Sequence, residues 1–114
     1  RCGACTVTLD DAPVKSCMLL AVQAQNATIM TAQSFADDDI GVRLQSAFKS
    51  HHALQCGFCT PGMLAAARGL LLETVHPTEQ DVRHALRGNL CRCTGYQPIV
   101  EAVLAVATDL AGVE

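Results

Sequence analysis

Seven cysteines carry most of the chemistry open to this chain: Cys2, Cys5 and Cys17, then Cys56 and Cys59, then Cys91 and Cys93. The last four form C-x2-C, a gap of 31 residues and C-x-C, which makes a complete set of four thiolates. The first three look like such a set with one member absent. Thiolates in fours hold soft or borderline metal ions, so the spacing points to two metal centres. Three other readings compete. A disulfide framework expects an even count, and nothing here suggests secretion. Unpaired cysteines pack as small hydrophobes, but that leaves three close pairs ringed by Gly and Thr without a reason. Structural zinc is the strongest rival. Its knuckles usually follow C-x2-4-C with roughly 15–20 residues between them, which a C-x-C half-site and so long a gap fit poorly. Iron–sulfur ligation fits better.

The elements around these cysteines divide the chain near residues 31–36, giving segments 1–33 and 34–114. In the first, Thr6-Val7-Thr8-Leu9 is short and β-branched, Asp10-Asp11-Ala12-Pro13 punctuates a turn, and Val14 to Leu20 reads as a second strand. Ala27 to Thr31 reads as a third strand. A sheet this small cannot bury its face alone, so the reading requires upstream strands to complete it. From Ser34 the period becomes helical: Ile40, Leu44, Ala47 and Phe48 share one face behind the acidic run Asp37-Asp38-Asp39. Those carboxylates suit a helix N-terminus better than a metal. A second helix is expected from Thr60-Pro61 to about Thr74, with Thr60 as N-cap and Pro at the first helical position. A third opens at Thr78-Glu79-Gln80-Asp81 as a capping box and closes at Gly88. A fourth opens at Tyr96-Gln97-Pro98, with Gly112 as its C-cap. Four short helices with short connections read as a bundle.

Each cysteine pair in the helical half lies in a loop beside the next helix N-terminus. Such ends supply positive potential and unpaired N–H groups, which suit the charge of about −2 on an oxidised two-iron cluster with four thiolates. Arg92 adds a positive charge between Cys91 and Cys93. Gly57, Thr60, Gly62, Thr94 and Gly95 let backbone approach the sulfurs.

Other residues carry less. Net charge is −3 and only 4% of residues are aromatic, so no electrostatic footprint for nucleic acid exists. No apolar run approaches a membrane span, and the expected location is cytoplasmic. His51, His52, His76 and His84 lack nucleophilic partners and read as surface or capping residues, with His51 and His52 ending a helix. Met18, Met30 and Met63 read as core filler. Phe58 and Tyr96 flank the cysteines, either as shields against water or as ordinary packing. A thioredoxin-type C-x2-C pair lacks its βαβ setting.

Two stretches give a resemblance: Gln55-Cys56-Gly57-Phe58-Cys59-Thr60-Pro61-Gly62 and Gly88-Asn89-Leu90-Cys91-Arg92-Cys93-Thr94-Gly95-Tyr96. They resemble the iron–sulfur subunits of the molybdenum hydroxylases, the xanthine oxidase family, and most closely small chains of the carbon monoxide dehydrogenase type. Cys2-Gly3-Ala4-Cys5-Thr6-Val7 and Pro13-Val14-Lys15-Ser16-Cys17 resemble the plant-type ferredoxin domain of the same family. The resemblance implies an α+β chain: the later part of a β-grasp ferredoxin-like domain (1–33), then an all-α four-helix domain holding a 2Fe–2S cluster (34–114).

By the same resemblance Cys2, Cys5 and Cys17 are ligands of a first 2Fe–2S cluster, whose remaining ligand is expected five residues before Cys2. Cys56, Cys59, Cys91 and Cys93 are ligands of a second 2Fe–2S cluster. Gln55 and Cys93 match positions that contact molybdopterin, although Gln55 also reads as a residue satisfying loop backbone. The implied partners are a large molybdopterin-binding subunit and a medium subunit carrying FAD. The implied function is electron transfer from the molybdenum site through both clusters toward a flavin or another acceptor, with no substrate chemistry on this chain. Asp10-Asp11 and Asn26 stand where relatives usually carry glycine in a turn, and both residue types tolerate left-handed backbone. A zinc-stabilised interaction module without redox role is the alternative, and a stand-alone ferredoxin would leave the helical cysteines without purpose.

Overall fold

The computed structural model describes residues 2–113. Its sheet begins as a tight hairpin. β1 (Thr6–Leu9) pairs antiparallel with β2 (Ala12–Lys15), and Leu9 faces Ala12 across a two-residue turn. Asp10 and Asp11 both take positive φ, 50° and 69°. That is the type I′ geometry whose twist matches the flanking strands. Asp10 helps hold it, its carboxylate accepting the Thr28 N–H at 2.9 Å. β3 (Ile29–Met30) lies on the other side of β1, so the order is β2-β1-β3.

The second strand stops at Lys15 instead of running to Leu20. Both the N–H and the hydroxyl of Ser16 turn onto the carbonyl of Cys5, at 3.3 and 2.8 Å. This bends the chain into a 3-10 turn (Ser16–Met18) that carries Cys17. Two further 3-10 segments, Ala21–Ala24 and Ala32–Asp37, lead into the helical half. Met18 departs from the core role expected of it: it is exposed, as are Leu20 and Val22 beside it. Met63 is buried and Met30 packs at the core's margin.

The helices are α1 (Asp39–Ser50), α2 (Thr60–Glu73), α3 (Glu79–Leu86) and α4 (Gln97–Val113). α1 starts because the Asp38 carboxylate accepts the Gly41 N–H at 2.9 Å, one of the four donors a helix start leaves open. α3 starts on a reciprocal box: the Asp81 N–H reaches the Thr78 hydroxyl, and the Thr78 N–H reaches the Asp81 carboxylate. It ends at Leu86, two residues before Gly88. α2 departs from expectation at its start. Cys59 occupies the N-cap, Thr60 is already helical and Pro61 follows, while the Thr60 hydroxyl is buried without a partner. Gly112 lies inside the last turn of α4 and not after it.

α1 packs on α2 and α4, and α3 packs on α2 and α4. Leu44 and Phe48 of α1, Met63 of α2, Val82 and Leu86 of α3, and Ile99, Val103 and Val106 of α4 are buried together. α2 is apolar on nearly every side because β1 and β2 cover the face the other helices leave. Three contacts fix that face. The Pro13 ring lies over Gly69, where an added Cβ would come within 2.5 Å of it. Arg68, its side chain 7% exposed, meets both oxygens of Asp38 at 2.9 and 3.2 Å and reaches Asp11 of the hairpin turn at 3.2 Å. At the helix start, Gly62 lies so close to the Gly3 carbonyl that a Cβ would overlap it. No described helix is long and apolar enough to cross a membrane.

Candidate metal centre

The C-x2-C loop before α2 turns on Gly57, whose φ of +80° is the left-handed conformation a side chain resists. The turn aims the Phe58 N–H at Cys56 Sγ, 3.5 Å away. The C-x-C loop before α4 is braced differently. Tyr96 takes a φ of +74°, unusual for a bulky residue. Its phenol oxygen accepts the Cys91 N–H at 2.9 Å, and its own N–H reaches Thr94 Oγ1 at 3.1 Å. The same Thr94 oxygen lies 3.1 Å from Cys91 Sγ.

These loops bring Cys56, Cys59, Cys91 and Cys93 onto the wall of one cavity of about 200 Å³, with Gln55, Phe58 and Leu90 around it. The sulfurs meet across the loops as two pairs. Cys56 and Cys93 stand 3.6 Å apart, and Cys59 neighbours Cys91 on the same wall. Burial, followed by contact with Cys91 and the nearby Cys56, pushes the Cys59 thiol up to about 11. Burial acts on Cys91 in the same direction, but the Thr94 hydroxyl and N–H and the Cys93 N–H outweigh it and hold its thiol below the usual value. Thiols must give up their protons before they bind a metal ion.

Such a donor set suits iron–sulfur chemistry. Four thiols converge on one cavity, and a backbone N–H points at a sulfur. The described residues contain no His/Cys/Asp/Glu group gathered as for a single ion. Two pairs, each within reach of one iron, match a two-iron group better than one tetrahedral zinc.

Gln55 is placed by the same geometry. Its side-chain Nε2 donates to the Cys93 carbonyl at 3.1 Å and so ties the two loops together. Phe58 is 75% exposed at the cavity rim and shields nothing by itself. The first cysteine set is more open. The Cys17 N–H points at Cys5 Sγ, 3.5 Å away, and lowers the Cys5 thiol's pKa, while the shared hydrogen bond with Cys5 raises that of Cys17. Cys2 is exposed and lines the wall of the cavity of the second set. The residue that spacing alone did not single out is Asn89. It is buried where Gly3, Gly88 and Gly62 converge, with its side chain 3.1 Å from the Thr6 hydroxyl. Next to it, the Leu90 N–H donates to the Cys2 carbonyl at 2.7 Å. Only a position between a glycine and a cysteine pair hinted at it.

A family model described as a 2Fe-2S binding domain matches residues 25–104. The chain belongs to that family, among the iron–sulfur subunits of the molybdenum hydroxylases. The nicotine 6-hydroxylase small subunit of Paenarthrobacter nicotinovorans is 55% identical over 103 residues, covering 90% of this chain and 62% of that one. The xanthine dehydrogenase iron-sulfur-binding subunit of Escherichia coli O157:H7 is 43% identical over 106 residues, covering 91% and 67%. Among solved structures, quinoline 2-oxidoreductase from Pseudomonas putida 86 superposes with a TM-score of 0.85 at 47% identity, over 96% of this chain and 68% of that one. Aldehyde oxidoreductase from Desulfovibrio gigas gives 0.86 at 38% identity, over all of this chain and 13% of that one. The chain spans 62% to 66% of the length of the first curated relatives it matches. The family's 2Fe–2S domain is thus this chain's own, and the zinc-module alternative has no support among the relatives.

Proposed function

We propose that this chain is the electron-transfer subunit of a molybdenum-dependent hydroxylase or dehydrogenase. It would accept electrons from a large molybdopterin-bearing partner and hand them toward a flavin-bearing subunit or another acceptor. The observation that carries the reading is the cavity where four thiols meet as two cross-loop pairs, in a chain of the 2Fe–2S binding family. We assign Cys56 and Cys93 to one iron and Cys59 and Cys91 to the other. A 2Fe–2S cluster held there supplies one-electron storage without bond chemistry. The protein's part is to fix the thiolates, exclude water from the buried Cys91 side and direct N–H and O–H groups at sulfur.

Cys2, Cys5 and Cys17 are assigned to the first 2Fe–2S centre, which needs one ligand besides these three. Division at residues 33 and 34 is retained for the two centres, with the first segment belonging to a β-grasp ferredoxin-like domain and the second to a four-helix domain. Gln55 donates to Cys93 through Nε2, which leaves its Oε1 for a pterin on the partner. Apolar Phe58 and Leu90 at the cavity rim suit an interface with that partner. Relatives are named for nicotine, caffeine, nicotinate, xanthine and quinoline, which favours an N-heterocycle as substrate of the assembly over carbon monoxide.

Anaerobic preparation with iron, sulfide and zinc analysis and EPR tests the reading. Equal iron and sulfide, with an EPR signal that disappears in Cys91→Ser, is expected. Stoichiometric zinc in a colourless protein would sink it, as would a signal untouched by that substitution.

A further inference from the structure

Thr94 belongs to a set of three contacts around Cys91. Its Oγ1 accepts the Tyr96 N–H at 3.1 Å and stands 3.1 Å from Cys91 Sγ, while the Tyr96 phenol oxygen accepts the Cys91 N–H at 2.9 Å. Together the three residues close a ring around one cysteine. Tyr96 holds it closed at φ +74°, a left-handed conformation that a bulky residue adopts only at a cost. Strain of that kind persists only where surrounding contacts over-determine it. Here the Tyr96 carbonyl also accepts the Val100 N–H in the first turn of α4 at 2.9 Å, so the helix start holds the strained residue in place.

The ring settles where protons point. A threonine hydroxyl has one proton and two lone pairs. The Tyr96 N–H occupies a lone pair, and a cysteine bound to iron as thiolate has no proton to offer. The hydroxyl must then be the donor. The Cys91 N–H, meanwhile, is engaged by the Tyr96 phenol and is withheld from sulfur. The Thr94 hydroxyl therefore adds, to the Thr94 and Cys93 N–H groups beside the sulfur, a side-chain donor that substitution can remove.

We propose that Thr94 is a positioning residue that donates a hydrogen bond to the Cys91 thiolate and raises the reduction potential of the centre held by Cys56, Cys59, Cys91 and Cys93. This rests on the assignment of Cys91 as a ligand. Reduction adds an electron to an already anionic centre, so a donor aimed at sulfur stabilises the reduced form more than the oxidised form. The Cys56 side receives the Phe58 N–H at 3.5 Å, a longer and unassisted contact. The two ends of the site are therefore unlike, and the Thr94 bond favours placing the added electron toward Cys59 and Cys91.

The test is an EPR-monitored redox titration of the complete protein, cluster-loaded, following the signal that Cys91→Ser abolishes. Thr94→Val keeps the shape and removes the donor. It is expected to lower the reduction equilibrium constant about tenfold, which is about 59 mV for one electron. Thr94→Ser restores the hydroxyl and should return the potential to the wild-type value, which a purely space-filling threonine would not predict. Should Thr94→Val fail to hold the cluster, Thr94→Ala replaces it under the same criterion. An unchanged potential in the variant lacking the hydroxyl, with its signal intact, overturns the proposal while leaving the ligand assignment standing. A signal that survives Cys91→Ser instead overturns the assignment, and the proposal with it.

Discussion

Replacing buried Arg68 by Met should cost this protein more stability than any change of an exposed charge, and the structure says how much. The guanidinium lies on α2 with its side chain 7% exposed and makes a two-point contact to Asp38 at 2.9 and 3.2 Å. Removing it strands a carboxylate that is 21% exposed and keeps only the Gly41 N–H. Breaking a buried pair typically costs 3–5 kcal/mol. The partial exposure of Asp38 sets the lower end, about 3 kcal/mol, which corresponds to a fall in Tm of about 12 °C or more for a domain of this size. By contrast, Asp11 is 67% exposed, and Asp11→Asn should cost about 0.5 kcal/mol or less.

The pH dependence of the Arg68 effect carries a second signature. Hydrogen bonding to Arg68, opposed by burial and helped by the Gly41 N–H, holds the Asp38 carboxyl below its ordinary pKa. A group depressed in the folded state stabilises above its unfolded pKa, and that contribution is lost as pH falls through the folded value. The gap between wild type and Arg68→Met should thus be constant above about pH 5 and close progressively below about pH 4. Thermal unfolding by circular dichroism at fixed cluster loading measures both. A loss under about 1 kcal/mol, or a gap that widens toward low pH, would refute the pairing as the source of stability.

Three substitutions test other details. Thr8 is fully buried in β1 with its hydroxyl unpartnered, so Thr8→Val should stabilise by about 1 kcal/mol in chemical denaturation, since the orphaned group is a liability and Val suits a strand. Thr60→Val separates two accounts of the α2 start: loss of a true N-cap costs about 1 kcal/mol, whereas the orphaned Thr60 hydroxyl predicts no loss. Gly62→Ala should gain about 1 kcal/mol in helix propensity and still lose overall, because the Cβ overlaps the Gly3 carbonyl. A more stable Gly62→Ala protein, with unchanged hydrogen exchange at Leu90, would contradict that close approach.

Much of this was legible in the residues. The four cysteines of the helical half, the capping box at Thr78 and the acidic start of α1 all follow from local chemistry, and local chemistry is what a sequence displays. The misses have a common cause in contacts that link distant residues. Val14 to Leu20 looks like a strand, yet Ser16 is drawn onto Cys5 eleven residues earlier and the strand ends. Thr60-Pro61 looks like a cap and a first turn, yet Cys59 takes the cap and Thr60 is already helical. Met18 looks like core, but nothing among the described residues covers it. The part of Asp38 beyond capping, its pairing with Arg68 thirty positions on, has no local sign at all.

Between the two cysteine sets the hairpin and the helices meet largely through backbone, and this bears on how the loops are spaced. Cys2 accepts the N–H of Leu90, Gly3 meets Gly62 without a side chain between them, and Thr6 reaches Asn89. Leu90 is the neighbour of Cys91, Gly62 follows Cys59 by three residues, and Thr6 follows Cys5 directly. Each of these three contacts thus lies within three residues of a proposed ligand on each side. Side-chain packing would separate the loops by the width of the side chains and let them shift as rotamers change. Carbonyl and N–H groups in direct contact bring the loops as close as the chain permits and hold that separation. Under the proposed function, electrons pass between two centres, and the distance between them is then the property most worth fixing. Gly3, Gly62 and Asn89 fix it with groups that have almost no freedom to relax.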